Sequence, residues 1–94
     1  PVMDARDVLE NPRALLSKLC TALGLEWRDA MLAWPPGRRA TDGVWARHWY
    51  AEVEKSTGFE RYRPRPDELP PELVRVHKEC LVPYRTLHAH RLTA

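Results

Sequence analysis

The sequence predicts a mainly α protein with three to five short helices, and three observations support this. Apolar residues recur at three- and four-residue spacing in several stretches, which is the spacing of one helix face. Proline or glycine bounds these stretches, as expected at helix ends. Residues 2–5 are the single stretch predicted to be a strand, a remnant whose partner strand is not in the sequence, and this suggests that the parent chain continues upstream.

Size and composition exclude several classes of protein. Ninety-four residues form one domain at most, here 1–94, and 44% hydrophobic residues are too many for intrinsic disorder. With 30% charged residues no stretch is apolar enough for a membrane span, and a net charge of +2 does not favour a nucleic-acid binder. Cys20 and Cys80 are expected to be reduced thiols of a cytoplasmic protein, with a disulfide between them as the alternative.

The clearest helix is predicted over residues 12–23. Asn11 is a suitable N-cap, Pro12 suits the first helical position, and Gly24 is a typical C-terminal stop. The apolar stripe of this helix is Leu15, Leu16, Leu19, Cys20 and Leu23.

Two further helices complete the N-terminal unit, residues 1–63. One is predicted from Trp27 to Ala33, where two prolines and a glycine follow. The other begins near Val44, with Asp42 as its cap, and ends at Thr57. Its apolar seam is Trp45, Trp49 and Val53, at four-residue spacing.

A proline-rich connector, 64–71, is expected to be extended, and the last helix is predicted over 72–92. Pro83 lies inside that helix and predicts a kink or break, because it has no backbone N–H and crowds the carbonyl of Glu79.

The segment from Gly37 to Trp49 carries the best candidate for a binding site. Arg38 and Arg39 precede Gly43, which precedes the predicted third helix. An arginine fork matches a phosphate, glycine allows close approach to the backbone, and a helix N-terminus attracts anions. A solvated basic turn before an amphipathic helix would show the same pattern, so the spacing leaves both interpretations open.

This segment resembles the C-terminal nucleotide-binding motif of the P-loop sulfotransferases, which reads Arg-Lys-Gly, then Gly-Asp-Trp-Lys, then an aromatic residue. Gly43 and Trp45 match its second glycine and its tryptophan, and Trp49 matches the later aromatic. Arg38 or Arg39 matches the basic residue before the loop.

The resemblance covers nearly the whole chain. Asp4-Ala5-Arg6-Asp7-Val8-Leu9 followed by Asn11-Pro12 is similar to the family's acidic segment after a strand, and Leu23-Gly24 to the end of its next helix. The order Met31-Leu32-Ala33-Trp34, Trp49-Tyr50 and Ser56-Thr57-Gly58-Phe59 is similar to bacterial sulfotransferase-like proteins. The resemblance implies the C-terminal part of an α/β P-loop fold.

The implied role is to bind the 3′-phosphate of 3′-phosphoadenosine 5′-phosphosulfate through Arg38 or Arg39 and the Gly43 backbone, beside Trp45. Ala46 and Val44 replace the motif's lysine and aspartate, and Arg47 could supply the missing charge.

The family's phosphosulfate-binding loop and catalytic histidine lie upstream, so the isolated chain is expected to be inactive and to need the α/β portion or a second copy as its partner. No metal is expected, because the histidines lack the i, i+4 spacing of a helical metal pair. The alternative function is a small helical protein-interaction module without enzymatic activity.

Overall fold

A computed structural model describes residues 1–66 and 68–94, and it confirms the mainly helical class. The α-helices of the described residues are α1 Ala5–Glu10, α2 Pro12–Leu23, α3 Ala46–Trp49, α4 Ala51–Lys55 and α5 Val74–Ala89. Two short 3₁₀ helices, Asp29–Leu32 and Pro71–Leu73, complete the secondary structure of the same residues.

The strand predicted for residues 2–5 is not formed, because the chain turns into α1 at Ala5. The Asp4 carboxylate accepts a hydrogen bond from the Arg6 N–H at 2.9 Å, so it acts as a helix N-cap where a strand was expected. Among residues 2–5, Val2 alone pairs in an extended conformation, through a single parallel bridge to Arg91 near the other end of the chain.

Helix α2 has the predicted bounds and the predicted ends. The Asn11 side chain accepts from the Ala14 N–H at 3.3 Å, and Gly24 adopts the left-handed conformation with φ +68°. Leu15 and Cys20 are buried, whereas Leu23 at the end of the predicted apolar stripe is 51% exposed. The apolar stripe of α2 is therefore buried at Leu15 and Cys20 and exposed at its C-terminal end.

The helix predicted for 27–33 is reduced to the 3₁₀ helix Asp29–Leu32. Trp27 stays outside it, since its indole N–H donates to the Asp29 carboxylate at 3.2 Å, and the same carboxylate pairs with Arg13 of α2. Ala33 is extended because it forms an antiparallel bridge with Gly58. These contacts replace both ends of the predicted helix, residues 27–28 and residue 33.

The third predicted helix is divided into α3 and α4, with Tyr50 between them outside the helical conformation. Trp45 and Trp49 still stack on each other, with ring centroids 5.4 Å apart, but they are 61% and 73% exposed. The seam thus brings the two rings together on the surface and does not enter a core.

Helix α5 continues from Val74 to Ala89 with Pro83 inside it, so of the predicted kink or break the break is not formed. Its first turn is preceded by the 3₁₀ helix Pro71–Leu73, and residues 59–66 and 68–70 before that have no regular secondary structure.

The core of the described residues is small, with Leu15, Cys20 and Ala46 as its buried apolar side chains. The radius of gyration is 16.5 Å, against about 12 Å for a compact domain of this length. Large apolar side chains consequently remain on the surface along α3, α4 and α5.

Candidate functional site: a hollow with two arginines

The predicted anion-binding loop is held in place by contacts between its base and the end of α4. The Gly37 N–H donates to the Glu54 carbonyl at 2.6 Å, and Gly37 has a φ of +111°, a conformation that favours glycine. Just before it, the Trp34 N–H donates to the Thr57 carbonyl at 3.0 Å and the Trp34 indole N–H donates to the Ser56 hydroxyl at 2.9 Å.

Two successive turns then lead the chain into α3. The Asp42 carboxylate accepts from the Arg39 N–H at 2.9 Å, and the Asp42 N–H donates back to the Arg39 carbonyl at 3.0 Å. The Ala46 N–H donates to the Gly43 carbonyl at 3.0 Å. The prediction that Asp42 caps the third helix is therefore wrong, because its side chain closes the turn that precedes the helix.

These turns surround an open hollow of about 260 Å³. Its lining combines two guanidinium groups, one carboxylate and short or apolar side chains: Arg38, Asp42, Gly43, Val44, Ala46 and Arg47. Three predicted site residues, Arg38, Gly43 and Arg47, thus lie around one space, although they are up to nine positions apart in the sequence.

Both arginines make a contact through Nε. Arg38 Nε lies 3.2 Å from a carboxylate oxygen of Glu54, and Arg47 Nε donates to His48 Nε2 at 3.0 Å. Each guanidinium also carries four N–H donors on its two terminal nitrogens, and these form the fork that suits a phosphate or sulfate. Neighbouring side chains therefore orient both arginines without using the terminal nitrogens in these contacts.

The other two predicted site residues are placed differently. Arg39 is half-buried and does not line the hollow; its backbone is fixed by Asp42. Trp45 lies between two lining residues but turns its ring onto Trp49. Sequence reasoning also missed Asp42 as a lining residue, although its position directly before Gly43 could have suggested it.

The expected support from a helix N-terminus is small. Helix α3 begins at Ala46, two residues after the predicted start, and has only four residues, so few peptide dipoles are aligned behind it. The first N–H of the helix is already bonded to Gly43. The positive charge at the hollow therefore comes from side chains. Arg47 supplies one of these charges, whereas Ala46, where the motif has lysine, is buried.

Three other features bear on the class of protein. Within residues 1–66 and 68–94, no three histidine, cysteine, aspartate or glutamate side chains are grouped so that they could hold a metal ion. Cys20 and Cys80 are free thiols. Across the same residues no helix combines the length and apolar character needed to cross a membrane.

Comparison with known proteins identifies relatives over nearly the whole chain. Residues 1–87 match the family model of the sulfotransferase domain. The chain is 34% identical over 89 residues to branched-chain-amino-acid aminotransferase-like proteins 1 and 2 of Arabidopsis thaliana. The match covers 95% of this chain but only 16% of the length of those relatives. No solved structure matches.

Proposed function

The chain belongs to the sulfotransferase domain family, and from this premise we propose that it forms the part of a sulfotransferase-like fold that binds the 3′-phosphate of 3′-phosphoadenosine 5′-phosphosulfate. The observation that carries the proposal is the convergence of Arg38 and Arg47 on one hollow beside Gly43. The aminotransferase wording in the relatives' names describes proteins of which this chain covers 16%, so we do not extend it to this chain.

The hollow suits a phosphate monoester in charge and in access. Two guanidinium groups match a doubly charged phosphate. Two carboxylates oppose it: Asp42, which already accepts a hydrogen bond from the Arg39 N–H, and Glu54, which pairs with Arg38 at 3.2 Å. A Cβ on Gly43 would meet no atom within 4 Å, so this stretch of backbone is open to a ligand.

The role that we propose is to hold the nucleotide, and the chemical step belongs to other residues of the parent fold. Transfer of a sulfuryl group needs cationic donors around the transferring group and a base on the acceptor hydroxyl. The sequence of this chain contains no GxxxxGK motif to supply the donors. We therefore expect the isolated chain to bind nucleotide without turning it over, and we expect it to work in the cytoplasm.

Thermal unfolding with added nucleotide tests the proposal. We expect 3′,5′-adenosine diphosphate to raise the melting temperature and 5′-AMP, which lacks the 3′-phosphate, to raise it much less. A ligand at a hundred times its dissociation constant stabilises the folded state by about 2.7 kcal/mol, which such a measurement resolves easily.

Three arginine variants make this test specific. Arg38→Ala and Arg47→Ala should each abolish the nucleotide effect, since both side chains line the hollow. Arg85→Ala removes the same charge from the exposed surface of α5 and should leave the effect intact. An equal response to both nucleotides, or no response at millimolar concentration, would contradict the proposal.

A second candidate function is a non-enzymatic protein-interaction module. It is favoured by apolar side chains that remain exposed on short helices, among them Trp49 at 73% and Val82 at 69%. The partner that we propose for this surface is the α/β portion of the parent fold, or a second copy of the chain. Light scattering over a range of protein concentrations distinguishes the two partners, since only self-association with a second copy raises the average molecular mass of the isolated chain with concentration.

A further inference from the structure

Helix α5 has no buried residue among its sixteen, unlike α2, which buries Leu15 and Cys20. The hydrogen bonds and ion pairs that link α5 and the residues just after it to other described parts of the chain all come from Tyr84 onward. Past the end of the helix, the Leu92 N–H donates to the Val2 carbonyl at 2.9 Å and Lys18 of α2 donates to the Thr93 carbonyl. The side-chain contacts of Tyr84, His88 and Arg91 with other elements end on Asp4 and Asp7 at the start of α1. We call these five side chains the terminal clasp: Asp4, Asp7, Tyr84, His88 and Arg91.

The first contact of the terminal clasp joins Tyr84 to Asp4. The Tyr84 hydroxyl donates to one Asp4 carboxylate oxygen at 2.8 Å, while the other oxygen accepts the Arg6 N–H that caps α1. The Tyr84 hydrogen bond, followed by that of Arg6, lowers the pKa of Asp4, and the same Tyr84–Asp4 bond raises the pKa of Tyr84. One carboxylate therefore serves both the start of α1 and the attachment of α5.

The second contact joins Arg91 to Asp7 and His88. Arg91 Nε lies 2.6 Å from an Asp7 carboxylate oxygen, and its Nη1 lies 2.9 Å from the His88 carbonyl and 3.2 Å from His88 Nδ1. Because a guanidinium only donates, Nδ1 accepts, and the ring proton lies on Nε2, which is 3.8 Å from Asp4. Arg91 and Asp7 are 25% and 23% exposed, so this pair is better shielded than an ordinary surface ion pair.

We propose that α5 is an arm that opens independently of α1 and α2, with the terminal clasp as its latch. A sixteen-residue helix is marginal in water without tertiary contacts, and Pro83 also removes one of its backbone hydrogen bonds. The free energy that keeps α5 helical and docked therefore comes largely from the terminal clasp. Tyr84, His88 and Arg91 form one side of the hollow of about 720 Å³ between α1, Tyr62 and α5, so opening the arm takes this hollow apart.

Amide hydrogen exchange of the wild-type chain tests the proposal directly. We expect the amides of Val74–Ala89 to exchange at least about tenfold faster than those of α2. The opening of α5 that allows this exchange should expose less surface than the opening that releases α2. That opening should accordingly respond less to added urea than the opening that releases α2. If both helices exchange through one opening with the same urea dependence, α5 is not a separate arm.

Variants identify the latch. Tyr84→Phe removes the hydroxyl that donates to Asp4 but keeps the ring stacked on His88, and Arg91→Met removes the pair with Asp7. Because hydrogen bonds to charged groups are the stronger ones, each change should speed exchange in α5 by about tenfold while α2 changes less than about twofold. Equal acceleration of both helices, or none in α5, would refute the assignment.

The matched control is Arg75→Met, which removes an exposed pair with Glu79 on the same helix, 3.6 Å apart. It should change exchange in α5 by less than about twofold, because exposed pairs of this kind contribute little. An effect as large as that of Arg91→Met would mean that any loss of charge on this helix opens it, and the terminal clasp would then have no special role.

Discussion

Replacing Leu15 with alanine should remove a large part of the stability of this chain. Leu15 is 0% exposed and is the one large side chain fully buried among the described residues. It lies on α2, the helix with both end caps formed, so its loss would act on the best-defined element of the fold. The same helix offers a control, because Leu23 is 51% exposed.

The size of the effect follows from burial. Leucine to alanine removes three carbons, worth about 0.8 kcal/mol each when fully buried, so the transfer term is roughly 2.4 kcal/mol. A cavity term adds to this, but few other side chains of the described residues are buried and the surroundings can collapse inward, so we expect about 2–3 kcal/mol in total. For Leu23→Ala, with half the burial and no cavity, we expect about 1 kcal/mol.

Urea unfolding followed by tryptophan fluorescence and by circular dichroism at 222 nm measures both variants. With an m-value of roughly 1 kcal/mol/M, Leu15→Ala should lower the urea midpoint by about 2–3 M and Leu23→Ala by about 1 M. If the two variants lose equal stability, or Leu23→Ala loses more, then α2 does not pack through its Leu15 side and the described core is incorrect.

Three further predictions concern caps and turns. Asn11→Ala should cost about 1 kcal/mol in urea unfolding, because it removes the acceptor for the Ala14 N–H at the start of α2. Gly24→Ala should lower the unfolding free energy by about 1 kcal/mol or more, since φ is +68° at Gly24. Gly43→Ala should be near neutral, because Gly43 has a negative φ and open space around it. Equal losses of stability in the two variants would contradict this backbone geometry. The folded state lowers the pKa of Asp4, so the stability that Asp4 contributes is present above the ordinary carboxyl range near pH 4 and is lost as the pH falls through the lowered value. Asp4→Asn should therefore reduce the loss of unfolding free energy on acidification. If that free energy falls with pH as steeply in the variant as in the wild type, the Tyr84–Asp4 hydrogen bond does not contribute in this way.

Local signals in the sequence were enough to predict α2. Its N-cap, its first proline and its terminal glycine act within a few residues of the helix, so their effect does not depend on the rest of the chain. The mainly helical class follows from the same kind of signal, and the sulfotransferase resemblance, drawn from the order of short motifs, is confirmed by the family match over residues 1–87.

The errors lie where a local side-chain contact or pairing with a distant segment overrides the periodic pattern. The helix predicted for 27–33 lost its last residue to pairing between Ala33 and Gly58, and it lost its first two residues, where Trp27 contacts Asp29 and Arg28 is extended. The strand predicted for 2–5 is replaced by the N-cap Asp4 and by α1, which begins at Ala5. The prediction did not take into account that an aspartate at this position can cap a helix. Periodicity reports which face of a segment is apolar, but it does not report which other segment reaches it.

For the candidate site too, one part follows from the sequence and another part only from the tertiary structure. The sequence alone determined that Arg38, Gly43 and Arg47 belong to one basic, glycine-containing segment, because these residues are close in the chain. Only the tertiary structure decided that Arg38 and Arg47 converge on one hollow while Arg39 does not, and that Asp42 faces the same space, since two tight turns set those directions. The terminal clasp was beyond sequence reasoning altogether, because Asp4 and Tyr84 are eighty residues apart and meet only when the chain ends fold together.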